Sequence, residues 1–282
     1  MSAATDSRID PKRDLSFRPI VNDNPKTLTR EQLDHYNEKG YVPCLDLFSA
    51  EEAEANRQYF NNLMQAVIDA NDGRDAYSIN GYQDRCRGLY DLIMEPRILD
   101  IVEDICGPDL ICWGAHYFCK MPGDEKSVSW HQDASYWPFE TSETVTVWLA
   151  IDDSTPENGA MKVIPGTHTM GHLPFRDSNE ADKNVLYQTI EGAEQYGEPV
   201  QLCLKAGQIS LHADMLAHGS EPNPSDTRRC GLTMRYCPAH VRGGFNKNSI
   251  VCRGSEPSGH WGNIQRPEGE DPQAKPHQIK KK

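Results

Sequence analysis

Nowhere in the 282 residues does an apolar run approach the ~20 residues that a membrane-spanning helix needs. The N-terminal MSAATDSRIDPKRD also lacks the hydrophobic stretch of a secretory leader, so a cytoplasmic protein with no membrane span is expected. Positive charge is in short supply: 29 Lys and Arg against 42 Asp and Glu give a formal net charge of -13. A phosphate backbone is held mainly by clustered cations, so nucleic acid is excluded as an expected partner. The sole basic run, Lys280 to Lys282, is short enough to read as a solvated tail. No C-x-x-C pair occurs among the nine cysteines, which argues against a disulfide framework or a zinc ribbon and for reduced thiols, at least partly buried. No internal repeat is visible, and the oligomeric state is not written in the residues.

A core of useful size remains. Residues 1-28 are polar, carry three prolines, and read as an extended arm that drapes over the domain. Thr29 or Thr27 can cap a helix through TREQLDHYNEKG that stops at Gly40, and a strand-like YVPCLDLF follows. Ser49 with Glu52 three residues later opens a long helix whose Phe60, Leu63, Met64 and Val67 mark one core-facing stripe. A further helix is expected at PRILDIVEDICG. Beyond it the texture changes to short β-branched and aromatic runs: DLICWGAHYFCKM, TVTVWLAIDD, GAMKVIP, VQLCL, QISLHADML and GLTMRYCPAH. Six such strands predict a mainly β sandwich or barrel with helices packed outside, a single domain over 29-260. The polar stretch 172-199 is long for a loop and reads as a lid or binding loop. Residues 261-282 read as a flexible C-terminal tail.

Within KSVSWHQDASYWPF, His131 and Asp133 stand two apart. On a strand, such residues share one face, so imidazole and carboxylate would be presented side by side as two ligands of a 2-His-1-carboxylate site. The third ligand must come from a distant strand, and His212 and His218 both offer themselves in ISLHADMLAHGSEPNPSDTRRCGLTMRY. His218 is followed by Ser220 and, after a turn-rich stretch, by Arg228 and Arg229 entering the next strand. A guanidinium and a hydroxyl there would make a carboxylate clamp beside a metal ligand.

WHQD, then TVTVWLAIDDSTPENGAMKVIPGTH, then HGSEPNPSDTRR, occurring in this order within residues 30 to 245, resemble the phytanoyl-CoA dioxygenase family of Fe(II)- and 2-oxoglutarate-dependent oxygenases. The resemblance implies a double-stranded β-helix, a cupin-like jelly roll. It implies His131, Asp133 and His218 as ligands of Fe(2+), Arg229 and Ser220 on the distal carboxylate of 2-oxoglutarate, and Trp148 and His116 lining the cosubstrate pocket. It further implies hydroxylation of an unactivated C-H bond with consumption of O2 and release of succinate and CO2. Desaturation, epoxidation or ring closure by the same oxidant is the alternative; a metal-binding jelly roll without turnover is the other. Halogenases of this architecture carry a small residue in place of the carboxylate, so Asp133 favours hydroxylation.

The remaining polar residues are expected to be structural. His212, an even six residues before His218, faces the same side and reads as a support for the site. Arg228, Arg85, Arg87 and Lys120 read as surface or strand-end charges, with recognition of an anionic substrate group as the lesser alternative. Asp152 and Asp153 read as turn formers, and Thr167 as a turn hydroxyl or pocket neighbour. Trp130, Tyr136, Trp137 and Phe139 are divided between core and substrate pocket. Without a broad basic groove for a CoA nucleotide, a free small molecule is the preferred substrate.

Overall fold

The computed structural model describes residue 10 and residues 12-74 and 78-274; the Lys280-Lys282 run and the first nine residues lie outside them. Helix α1 (Arg30–Lys39) leads into β1 (Tyr41–Asp46), α2 (Ala50–Ala70) and β2 (Ser78–Asn80). Helices α3 (Arg87–Ile93) and α4 (Pro96–Cys106) precede β3 (Leu110–Lys120), β4 (Val128–His131), β5 (Val145–Ala150) and β6 (Met161–Val163). The chain continues through β7 (Arg176–Asp177), β8 (Gln188–Thr189), β9 (Val200–Leu202), β10 (Gln208–Ala213), β11 (His218–Ser220), β12 (Arg229–Pro238) and β13 (Ile250–Arg253).

The helices start where the sequence says they should. Thr29 with Gln32, and Ser49 with Glu52, form reciprocal capping boxes, and Gly40 ends α1 in the left-handed region at φ 87°. Helix α3 was not foreseen: its N-cap, Cys86, makes no side-chain cap bond, so no start signal exists in the sequence.

Two antiparallel sheets form the jelly roll. The larger has the order β1-β10-β5-β12-β3-β13, with β2 also on β3; the smaller runs β4-β11-β6-β9. Strand alternation divides the larger sheet cleanly. Val145, Val147 and Leu149 of β5 join Phe60, Leu63, Val67 and the apolar face of α4 in the main core, outside the barrel. Trp148 and Ala150 face the other way and meet Met161, Val163 and Leu202 of the smaller sheet. Burial of apolar area on both faces, at roughly 25 cal/mol per Å², holds the larger sheet between helices and barrel interior.

The two ends of the chain lie against this domain. Leu15 and Leu28 of the N-terminal arm are buried, and Arg13 donates to the Ala134 and Phe139 carbonyls. The segment 261-274, within the stretch read as a flexible tail, is packed: Trp261 is buried, and Glu270 accepts from Tyr59 Oη and Gly88 N. Trp261 and Ile264, which packs against the main core, anchor an otherwise polar stretch. None of the nine cysteines forms a disulfide. Among the described residues no helix is long and apolar enough to cross a membrane.

Candidate active site

β-pairing stacks the inward residues of the larger sheet in rows, because directly opposed residues point to the same face. One row reads His212, Thr146, Arg235 and Gly114 across β10, β5, β12 and β3. The next reads Ser210, Trp148, Thr233 and His116, and two steps further along β12, Arg229 stands opposite Lys120. Facing these rows from the smaller sheet are His131 and His218, paired across β4 and β11.

His131, Asp133 and His218 come together: one donor atom from each lies within 4.8 Å of the others, and all three are buried. Asp133 is not on a paired strand as expected. β4 ends at His131 and Asp133 opens a short 3-10 turn, but Gln132 between them keeps extended angles (φ -111°, ψ 125°), which preserves the shared face. The Gln132 amide points the opposite way, donating to the Gly171 and Met215 carbonyls and accepting from Leu173 N, and so ties three loops behind the site.

The tautomers follow from the hydrogen bonds. His131 Nδ1 lies 2.8 Å from the Ser129 carbonyl and His218 Nδ1 2.9 Å from that of Leu216, so each Nδ1 carries the proton and each Nε2 presents a lone pair inward. Burial and the neighbouring imidazoles hold His218 well below its ordinary pKa, keeping it neutral. Burial pushes the Asp133 carboxyl up, yet His131, His212, His218 and Arg235 together hold it well below the usual carboxylate range. Two imidazoles whose Nδ1 atoms are spent on backbone carbonyls, together with one carboxylate, are the donor set that suits a divalent iron with open coordination positions, and the residues present fit one.

His212 belongs to this centre more closely than a strand support would. Its Nε2 lies 3.7 Å from Asp133 Oδ2, its ring 4.6 Å from that of His218, and both its nitrogens are buried without a hydrogen-bond partner. Thr146 completes the ring around Asp133, its Oγ1 3.3 Å from Oδ2.

The triad opens on a cavity of about 1750 Å³ lined by both sheets. At its inner end Arg229 and Ser220 are buried, and the Arg229 guanidinium donates to the Gly159 carbonyl and lies 5.7 Å from the Trp148 ring. Trp148 reaches over β12 because Gly231 has no side chain: a Cβ there would stand 2.1 Å from the indole Cζ2. His116 lines the same cavity, its pKa lowered by burial and by Arg235. Tyr136 and Trp137 line it as well, whereas Phe139 is core and Trp130 points away, donating to Glu194. The 172-199 stretch contributes Asn179, Glu180 and Lys183 to Tyr187 to the cavity wall.

Three charges expected at the surface are not there. Arg228 grips Asp152 with two bonds (2.7 and 2.9 Å) and reaches Asn61, half-buried above Phe60. Arg85 is buried against Asp84 and the Tyr82 ring. Lys120 is fully buried, donates to the Ser220 and Glu221 carbonyls, and has its pKa lowered to about 7 by burial and by Arg229. Strand register places Lys120 opposite Arg229, whereas Arg85 closes a 3-10 turn and Arg228 lies just before β12. Thr167 spends its hydroxyl on the Ile164 carbonyl and on Ala217 N, so it is a turn residue. Sequence reasoning missed Arg235, which lines the cavity beside Asp133; its even spacing from Arg229 on one strand was the available signal.

A family model described as Phytanoyl-CoA dioxygenase (PhyH) matches residues 36–231. The chain belongs to the PhyH family. Among curated relatives, the peroxisomal phytanoyl-CoA dioxygenase of Homo sapiens is 26% identical over 79% of this chain and 72% of its own length. A probable alpha-ketoglutarate-dependent hypophosphite dioxygenase of Stutzerimonas stutzeri is 24% identical over 74% and 78%. Among solved structures, the non-heme monooxygenase ThoJ superposes with a TM-score of 0.70 at 26% identity, over 84% of this chain and 88% of that one. EctD from S. alaskensis, solved with 2-oxoglutarate and 5-hydroxyectoine, has a TM-score of 0.69 at 19% identity, over 92% and 95%, a likeness of fold. PhyH membership and the jelly roll agree with the order of the WHQD and HGS motifs along the chain.

Proposed function

We propose that this PhyH-family chain is an Fe(II)- and 2-oxoglutarate-dependent dioxygenase that hydroxylates an unactivated C-H bond of a small molecule. The balance is R-H + 2-oxoglutarate + O2 → R-OH + succinate + CO2. His131, Asp133 and His218 would hold iron, which together with 2-oxoglutarate supplies O2 activation and the oxidant for the C-H bond. Arg229 and Ser220 would receive the distal carboxylate of 2-oxoglutarate, with Trp148 as the wall that orients it. A planar guanidinium meets a carboxylate with paired N-H donors, which suits Arg229 better than Lys120, already spent on two carbonyls. The two Nδ1 bonds fix the imidazoles before metal arrives.

The single observation that carries this reading is the convergence of two histidines and one carboxylate in the wall of a cavity that Arg229 also lines. Purified protein loaded with Fe(II) is expected to bind one iron per chain and to form succinate from 2-oxoglutarate under air. Asp133→Ala should lose both. Iron bound with undiminished affinity by Asp133→Ala, or 2-oxoglutarate left unconsumed by the wild type across a broad substrate panel, would contradict it.

A further inference from the structure

Arg235 is buried in the wall of the cavity, yet no hydrogen bond from its guanidinium is found among the described residues; its Nε is fully shielded and unpartnered. The other buried arginines each hold an acceptor, Arg229 the Gly159 carbonyl and Arg85 the Asp84 carboxylate, although Arg85 Nε and Nη2 are also unpartnered. Gly114 stands opposite Arg235 on β3, where even a Cβ would lie 4.0 Å from Nη1, an ordinary contact, so the guanidinium is not crowded from that strand. Trp113 and Trp137 flank it, each ring 5.5 Å from Cζ. Cation-π contact stabilises the guanidinium but satisfies none of its N-H donors. The carboxylate whose charge reaches it is that of Asp133, and that charge is claimed by the proposed metal. A buried cation without a paired acceptor carries a desolvation cost that an incoming anion would offset.

Resting on the dioxygenase reading above, we propose that Arg235 receives the carboxylate of the primary substrate, which is therefore a small organic acid with an apolar body. The placement suits positioning. Arg235 stands one strand spacing, about 4.8 Å, from Thr146, which touches Asp133, so a carboxylate held there sets a C-H bond of a short body near the triad. Trp137 and Tyr136 supply the apolar wall. Arg229 and Arg235 then divide two carboxylates between opposite ends of one strand face, cosubstrate at one and substrate at the other.

The test uses anaerobic protein with Fe(II) and saturating 2-oxoglutarate, titrated with benzoate and 3-phenylpropanoate and with the corresponding amides. Tryptophan fluorescence and the visible charge-transfer band of the iron chelate are read together. The acids should bind at least ~10-fold more tightly than the amides, since only they accept from the guanidinium as anions. Arg235→Met should abolish that preference, and Arg235→Lys should keep part of it. Both variants should retain the band before titration, and Arg235→Met should melt no lower than the wild type. Acids binding no better than amides, or an Arg235→Met that melts lower with its preference intact, would overturn the proposal and leave Arg235 a structural cation. Absence of the band in the wild type would sink the dioxygenase reading instead, because fluorescence reports on Arg235 without iron.

Discussion

Arg229 and Arg235 sit six residues apart on the inward face of β12, and their surroundings differ in kind. Arg229 stands at the closed end, bonded to the Gly159 carbonyl, walled by Trp148 and opposed by the buried Lys120. Arg235 stands near the triad, held between two indoles, with no hydrogen bond found among the described residues. A guanidinium anchored on a backbone carbonyl is held in a fixed direction; one with only aromatic faces is positioned but unsatisfied. Charge type alone therefore does not assign a role: the acceptors within reach do. The same lesson applies to Arg228, whose pairing with Asp152 leaves it nothing to offer the cavity.

The largest effect separates the triad from both arginines. His218→Ala should lower iron affinity by at least ~10³-fold, since one of three protein donors is lost, whereas His212→Ala should retain most of it; calorimetric iron titration reads both. The reverse order would exchange the two histidines' roles. Next, Arg229→Ala should raise the 2-oxoglutarate concentration needed for half-saturation ~30- to 1000-fold, corresponding to about 2–4 kcal/mol for a buried charge pair broken on one side. Arg228→Ala should leave that concentration unchanged and instead lower the melting temperature. Gly231→Ala then probes the wall between the two ends. Its Cβ would displace the Trp148 indole, costing about 1–3 kcal/mol of stability, and 2-oxoglutarate affinity should fall while the acid preference assigned to Arg235 survives.

The smallest effect is a pH dependence at the closed end. The folded pKa of Lys120, about 7, lies below the unfolded value, so the unfolded chain binds more protons between about pH 7 and 10.5. Stability contributed by this residue should therefore rise with pH across that window. Lys120→Met should flatten the rise in a denaturant series run from pH 7 to 10, and an unchanged slope would remove Lys120 as its cause.

How much of this the sequence shows depends on which information each feature needs. Local signals were enough for α1 and α2, whose capping boxes are spelled out at Thr29 and Ser49, and for the long strands with their β-branched runs. His131, Asp133, His218, Ser220 and Arg229 were picked out by the resemblance of their motifs to a family, spacing alone leaving His212 and His218 both open, and the fold brings them to one cavity. Features set by register were hidden. Nothing in the one-dimensional chain places Lys120 opposite Arg229, or Thr146 between His212 and Arg235. Arg228 passed as a surface charge because its partner Asp152 is 76 residues away. Helix α3 lacked a cap signal, and β13 is only four residues long among turn-forming neighbours, so neither gave a periodic pattern to find.

The most direct measurement is a titration of 2-oxoglutarate into the anaerobic Fe(II) protein, following the chelate's visible band in wild type, Arg229→Ala and Arg235→Met. The account predicts a saturable band in the wild type, the same half-saturation in Arg235→Met, and a large rightward shift in Arg229→Ala. A wild type with bound iron but no band, or a larger shift in Arg235→Met than in Arg229→Ala, would contradict it.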